Sequence, residues 1–306
     1  YYLYRDKAIS LARTGAIQEA INCVNKGLEM ARSAPAGIEY TLSLMIAKSI
    51  IYLESKEYNN AKKLIEKSKK MAAEANLLAN WLITITQVLS HIYLERKLYN
   101  QALKAVEASI EANLVDQQIT ASQETLSIDS FVDVPKLLES LQLKTTLLET
   151  IYQLNKDPQR LLKLIDTYQL LDQGIGYLRD YYPRYQDKVT LQATYRELYE
   201  RAIHANVAAA NYFGDPGYLE TCLYYSEAYK AKLLQQNLAI RETGNAEEVS
   251  AHVRVVEQKN KFNISRTLEQ LFKARRLPQP DTAHIGQLEN KLFNLTNRRD
   301  SILAYY

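Results

Sequence analysis

Three stretches near the start of this chain superpose without a gap at a spacing of 41 residues: ARTGAIQEAINCVNKGLEMA from Ala12, LESKEYNNAKKLIEKSKKMA from Leu53 and LERKLYNQALKAVEASIEAN from Leu94. A period of roughly 20–50 residues constrains a fold more than any single motif. Each unit is one supersecondary piece that cannot bury its own apolar face, so the units must stack. Ala20, Ala61 and Ala102 share one column, Ile17, Tyr58 and Tyr99 another, and Val24, Ile65 and Val106 a third. Small residues recur at Ala8, Ser49 and Ser90, and again at Gly27, Ser68 and Ser109, while Leu11, Tyr52 and Tyr93 fill a bulky column upstream.

The spacing inside each unit is helical. Tyr58, Ala61, Leu64 and Ile65 recur at three- and four-residue intervals and so share one helix face. With only 9 glycines and 7 prolines in 306 residues, the chain lacks the turn residues of a sheet protein of this size. Fixed small residues let neighbouring helix axes approach, towards the short end of about 8–10 Å separations. Gly15 suits a tight turn before the second helix of the first unit, and Lys56 and Lys97 replace it later. Cys23 shares a column with Leu64 and Ala105, which makes it a small core residue rather than a reactive thiol.

A small residue, then Gly-x-[Tyr/Ile]-x-x-Ala, then a small residue followed by an apolar one resembles the tetratricopeptide repeat. That repeat ordinarily has about 34 residues, and the extra length here equals about two helical turns, so longer pairs are expected. The resemblance implies an all-α, right-handed superhelix of antiparallel helix pairs, three of them within 1–114.

From Val115 to Pro135 the pattern lapses into VDQQITASQETLSIDSFVDVP, which reads as a linker or insertion ended by its proline. Periodicity resumes at Leu137, and residues 136–240 read as two longer, degenerate pairs. Within them NKDPQRLLKLIDTY and FGDPGYLETCLYYS align at a shift of 58 residues. In each, Asp157 or Asp215 caps a helix whose first position is Pro158 or Pro216. Cys222 falls in the column of Leu164 and is expected in the core. Pro183 is expected to break a helix at a tyrosine-rich corner, with its rings packing rather than binding. Residues 241–306 read as an antiparallel helical hairpin set off near Gly244. Its seams are Val249, Val253, Val256, Leu268 and Leu271, then Leu288, Leu292, Leu295 and Ile302, with a break at LPQPD where Asp281 can cap the returning helix.

The order of these pieces carries a second resemblance. SIDSFVDVPKLLESLQLKTTLLETIY, DTYQLLDQGIGYLRDYYPRYQDK and YLETCLYYSEAYKAKLLQQNL are similar to the helical region of bacterial TPR-CHAT proteins. There a tetratricopeptide array, a Ser-Glu-x-x-Lys-Ala-x-x-Leu helix and a charged hairpin precede a caspase-like CHAT peptidase domain. The helix here reads Ser226-Glu227-Ala228-Tyr229-Lys230-Ala231-Lys232-Leu233-Leu234 and departs from the family at Tyr229, where a small residue is usual. The hairpin departs in being rich in arginine and asparagine. The resemblance implies a non-catalytic scaffold that binds a protein partner and positions its own C-terminal peptidase domain. The peptidase's His/Cys pair would lie outside this chain, which opens at Tyr1 and closes inside a helical pattern, as a segment of a longer protein does. The alternative is a free-standing peptide-binding adaptor.

By the repeat register, Arg5, Ile9, Arg13, Ile46, Glu54, Gln87, His91 and Glu95 are expected to line the concave groove that would hold a peptide. The sign changes from Arg13 to Glu54 and Glu95, so a groove of mixed charge is expected. His91 and Glu95 lie four apart on one helix face, but two ligands fall short of a metal site, and no residue pattern asks for a cofactor. Four histidines and two cysteines show no nucleophile–base spacing. The net charge of +3, from 38 basic and 35 acidic residues spread along the chain, shows no basic stripe for nucleic acid. No apolar run reaches the roughly 18 residues of a membrane span.

Overall fold

A computed structural model describes residues 2–31, 37–114, 128–181, 195–227, scattered positions between 256 and 274, and 282–303. Among the described residues every regular element is helical, and the extended contacts reduce to one isolated antiparallel bridge between Leu114 and Phe131. The helices are α1 (Tyr2–Arg13), α2 (Ile17–Ala31), α3 (Gly37–Glu54), α4 (Tyr58–Glu74), α5 (Leu78–Glu95) and α6 (Tyr99–Glu111). There follow α7 (Val134–Asn155), α8 (Pro158–Tyr181), α9 (Arg196–Phe213), α10 (217–227) and α11 (Thr282–Leu303). Contacts divide the chain into two compact units, Tyr1–Lys156 and Asp157–Tyr306. The tyrosine corner at Pro183, the helix beyond Glu227, the break near Gly244, the seam positions Val249, Val253 and Leu268, and the LPQPD turn with Asp281 lie outside the described residues.

In the first unit the helix boundaries repeat with the sequence. α1, α3 and α5 end at Arg13, Glu54 and Glu95, and α2, α4 and α6 begin at Ile17, Tyr58 and Tyr99. α3 and α5 have 18 residues each and α4 has 17. The turn between the helices of a pair is built the same way three times. Gly15, Lys56 and Lys97 all take left-handed backbone angles, with φ of 86°, 63° and 58°. Each donates its N–H to the carbonyl three residues back, and the next residue donates to the carbonyl five back, as Ala16 does to Leu11 at 2.9 Å. This pair of hydrogen bonds satisfies carbonyls that a helix end would otherwise leave open. Glycine meets that requirement without strain; the lysines hold the same angles against the cost of a Cβ.

Packing explains the small columns. Ala20, Ala61 and Ala102 are fully buried, as are Ala8, Ser49 and Ser90. The serines do more than save space. Ser49 Oγ donates to the Ala61 carbonyl at 2.8 Å, and Ser90 Oγ donates to the Ala102 carbonyl at the same distance. Each bond ties the first helix of a pair to the second at its closest point. At Gly27 a Cβ would stand 3.1 Å from both Leu44 Cδ2 and Tyr4 Cβ, so α2 touches α1 and α3 there with no room for a side chain. Helices pack in a regular order: each with the next from α1 to α7, and also α1 with α3, α3 with α5 and α5 with α7.

α7 differs from the sequence expectation. Pro135 does not close a linker; it sits in the first turn of α7, where its missing N–H costs nothing. Asp133 caps this helix, accepting from the Lys136 N–H at 2.9 Å. α7 then packs on α5 and α6, within the first unit. Buried polar groups fix it there: Gln87 Nε2 donates to Ser140 Oγ at 2.9 Å and to the Lys136 carbonyl at 3.1 Å, and Ser109 and Ser140 hydroxyls meet at 2.8 Å. The short approach to α7 is clamped by fully buried Asn113. Its amide donates to the Asp133 carbonyl at 2.7 Å and accepts from the Asp133 N–H at 2.9 Å.

The 58-residue alignment reappears as local structure. Lys156 and Gly214 both end helices in left-handed conformation, with φ of 54° and 71°. Asp157 Oδ1 accepts from the Gln159 N–H, and Asp215 Oδ1 accepts from the Gly217 N–H, each at 2.9 Å. The two cysteines are half-buried rather than interior. Cys23 donates to the Tyr4 carbonyl and Cys222 to the Ile203 carbonyl, both at 3.5 Å and 19 residues back. Burial pushes the Cys222 thiol above its ordinary range. Towards the end of the chain, Leu271 and Ala274 pack with Leu288, Ile285 and Leu292, while Asn260 donates to the Leu295 carbonyl at 2.9 Å. Partners that rise in number on one side and fall on the other are antiparallel.

Candidate functional site

α1, α3, α5 and α7 pack in sequence, so equal register positions on them form rows. Arg5, Ile46 and Gln87 make one row, and Arg13, Glu54 and Glu95 another. Arg13, Glu54, His91 and Glu95 are exposed, and Ile9 is half-buried against the core of the first pair. Arg5 is half-buried and pairs with its own neighbour Asp6 at 2.8 Å.

Two of the expected groove residues are interior. Ile46 is 3% exposed and belongs to the core formed by α3, α4 and α5. Gln87 is 7% exposed, its amide taken up by α7. The expectation that both line the concave groove is therefore corrected. For Ile46 the apolar face of α3 is wider than one stripe, with buried residues from Leu42 to Ala47. For Gln87 the covering helix α7 lies outside the 41-residue pattern, so its arrival was not legible from the repeat.

At the α5 end of the row the charge is acidic. Partial loss of water around the exposed His91 ring lowers its pKa, while the carboxylates of Glu95, Glu139 and Glu54 pull it upwards. Those three acids come from α5, α7 and α3. Glu139 is the contributor that sequence reasoning missed, because its segment reads there as the start of two degenerate pairs without the 41-residue register. It also pairs with Lys136 at 2.7 Å, and Glu95 accepts from the Tyr58 hydroxyl at 3.3 Å. Among the described residues no three His, Cys, Asp or Glu side chains converge as metal ligands. A shallow depression of about 430 Å³ lies elsewhere, between the start of α6 and the end of α7, lined by Leu98, Tyr99, Asn100, Ile151 and Leu154.

The second unit holds a separate polar centre. Asp172 on α8 receives the Tyr199 hydroxyl of α9 on Oδ1 and the Tyr224 hydroxyl of α10 on Oδ2, both at 2.7 Å. Tyr225 is buried beside them, its ring 5.9 Å from that of Tyr199. One carboxylate therefore joins three helices. Burial, and the bond to the Asp172 charge, push Tyr224 up to about 12, and burial with the same charge raises Tyr199 and Tyr225 further. A phenol whose folded pKa is raised stabilises the fold fully below its unfolded value and loses that contribution as pH rises through the folded value. Stability should accordingly be flat up to about pH 10 and fall as pH climbs towards 12. Ultraviolet titration should show the phenols of this cluster ionising only with unfolding. A single phenolate transition near the ordinary value, in protein that stays helical, would count against the cluster.

No helix among the described residues is long and apolar enough to cross a membrane. Comparison with models of known families, with curated proteins and with solved structures finds no match.

Proposed function

We propose that this chain is a non-catalytic scaffold of the tetratricopeptide type, and that the row of exposed side chains on α1, α3, α5 and α7 holds a segment of a partner protein. The observation that carries the reading is the recurrence, at 41 residues, of helix ends, left-handed turn and serine-to-alanine carbonyl bond. First helices that pack on one another while second helices lie outside them make a right-handed superhelix with one concave side. Glu54, Glu95 and Glu139 make the His91 end of that side acidic, and Arg13 stands at the other end of the row. The partner is a peptide whose charge runs the opposite way. In the setting that the sequence resemblance implies, the scaffold positions or restrains a caspase-like peptidase carried by the same protein.

Charge reversal tests the groove. Glu54→Lys combined with Glu95→Lys leaves the helices intact, since both side chains are exposed. It should weaken binding of a captured partner about tenfold or more, as expected when two rim charges turn repulsive. Undiminished partner binding by the folded double variant would remove this surface from consideration.

A further inference from the structure

The described residues that line the depression between the start of α6 and the end of α7 all belong to the first unit. Its place in the repeat explains why it stays open. One pair earlier, where α4 begins beside the end of α5, the Tyr58 hydroxyl reaches Glu95 at 3.3 Å and bridges the two helices. Tyr99 stands in the column of Tyr58 at the start of α6, but the helix beside it offers Ile151, Leu154 and Asn155. α7 is also the longer helix, with 22 residues against 18 in α5. A hollow of about 430 Å³ remains where the preceding pair is bridged.

Its walls divide by chemistry. Leu98, Ile151 and Leu154 are apolar, and Leu154 is left 68% exposed. Lys97, Tyr99 and Asn100 bring an ammonium, a hydroxyl and an amide, and no acid stands among the described lining residues. The Lys97 side chain is exposed and joins no ion pair among the described residues. Its backbone is fixed in the left-handed turn, where its N–H donates to the Leu94 carbonyl at 2.8 Å, so the cation springs from a rigid base.

We propose that this hollow binds a small carboxylic acid with an apolar body, the body lying against Leu98, Ile151 and Leu154 and the carboxylate meeting the Lys97 ammonium. Apolar walls with a few placed polar groups, in a volume of this order, are the usual make-up of a small-molecule site. Charge selects the class of ligand. With one cation and no acid in the described wall, an anion is drawn in, and an amine of the same shape is repelled. The site is distinct from the charged row, since none of its lining residues belongs to that row.

The test uses the full chain and fluorine NMR of two probes that share one apolar body, para-trifluoromethylbenzoate and para-trifluoromethylbenzylamine. The benzoate should broaden and shift with a Kd on the order of a millimolar or below, and the amine should bind at least about fivefold more weakly. Lys97→Asn removes the charge while asparagine tolerates the left-handed backbone, and it should weaken the benzoate about fivefold. Leu154→Ser, at an exposed position, should weaken both probes about threefold. Circular dichroism of both variants should match the unaltered protein. Absence of benzoate binding at several millimolar, equal binding of benzoate and amine, or unchanged benzoate binding by the two folded variants would each overturn the proposal. None of these results bears on partner binding by the Glu54 and Glu95 variant, so the two readings fail separately.

Discussion

Replacing Asn113 by alanine should destabilise the first unit by about 3 kcal/mol, more than any surface change in it. The side chain is fully buried and satisfies both the N–H and the carbonyl of Asp133. Alanine would leave the Asp133 N–H without a partner, at about 1–3 kcal/mol when water cannot replace the bond, and would strip the Asp133 carbonyl of one of its two donors, the Leu137 N–H remaining. The damage also spreads, because Asp133 caps α7 through the Lys136 N–H. At roughly 2–4 °C per kcal/mol for a unit of this size, the melting temperature should fall by about 6–12 °C. Amide hydrogen exchange at Val132 and Asp133 should accelerate with it. A loss below ~0.5 kcal/mol in chemical denaturation would mean that the clamp is not formed.

The second large effect is expected from Ala61→Leu and Ala102→Leu. Both alanines are fully buried, and each lends its carbonyl to a serine hydroxyl of the preceding helix at 2.8 Å. That bond sets how close the helices stand, so the added carbons cannot be taken up by a small separation without breaking it. Overpacking a tight core costs about 1–3 kcal/mol, and the strained bond places these variants towards the upper end. Equilibrium unfolding measures it directly. Stability unchanged in both variants would contradict the close approach on which the repeat depends.

Legibility followed the range of each interaction. The ends of α1, α3 and α5 and the starts of α2, α4 and α6 fall where the columns change, because helix ends are decided within a few residues. The turn residue at Gly15, Lys56 and Lys97 was visible as a column, although lysine hid its left-handed backbone. Asp157 and Asp215 were readable as caps because an Asp-Pro start is local chemistry. The groove was legible only in part. Arg13, Glu54, His91 and Glu95 are exposed, whereas Ile46 and Gln87 are covered by contacts that no column contains. Glu139 went unseen for the same reason.

Periodicity by itself determined the helices, their pairing and the small residues between them, since a 41-residue recurrence of size and polarity leaves few other ways to bury the same face. Tertiary structure alone decided where α7 sits, that Pro135 opens a helix, that Ser49 and Ser90 bond as well as fit, and that Asp172 gathers two tyrosines from other helices. The reason is physical. Helix formation is settled by neighbours three and four residues apart, whereas a buried polar group is settled by whichever distant donor or acceptor the packing brings within 3 Å, and a single chain does not write that partner beside it.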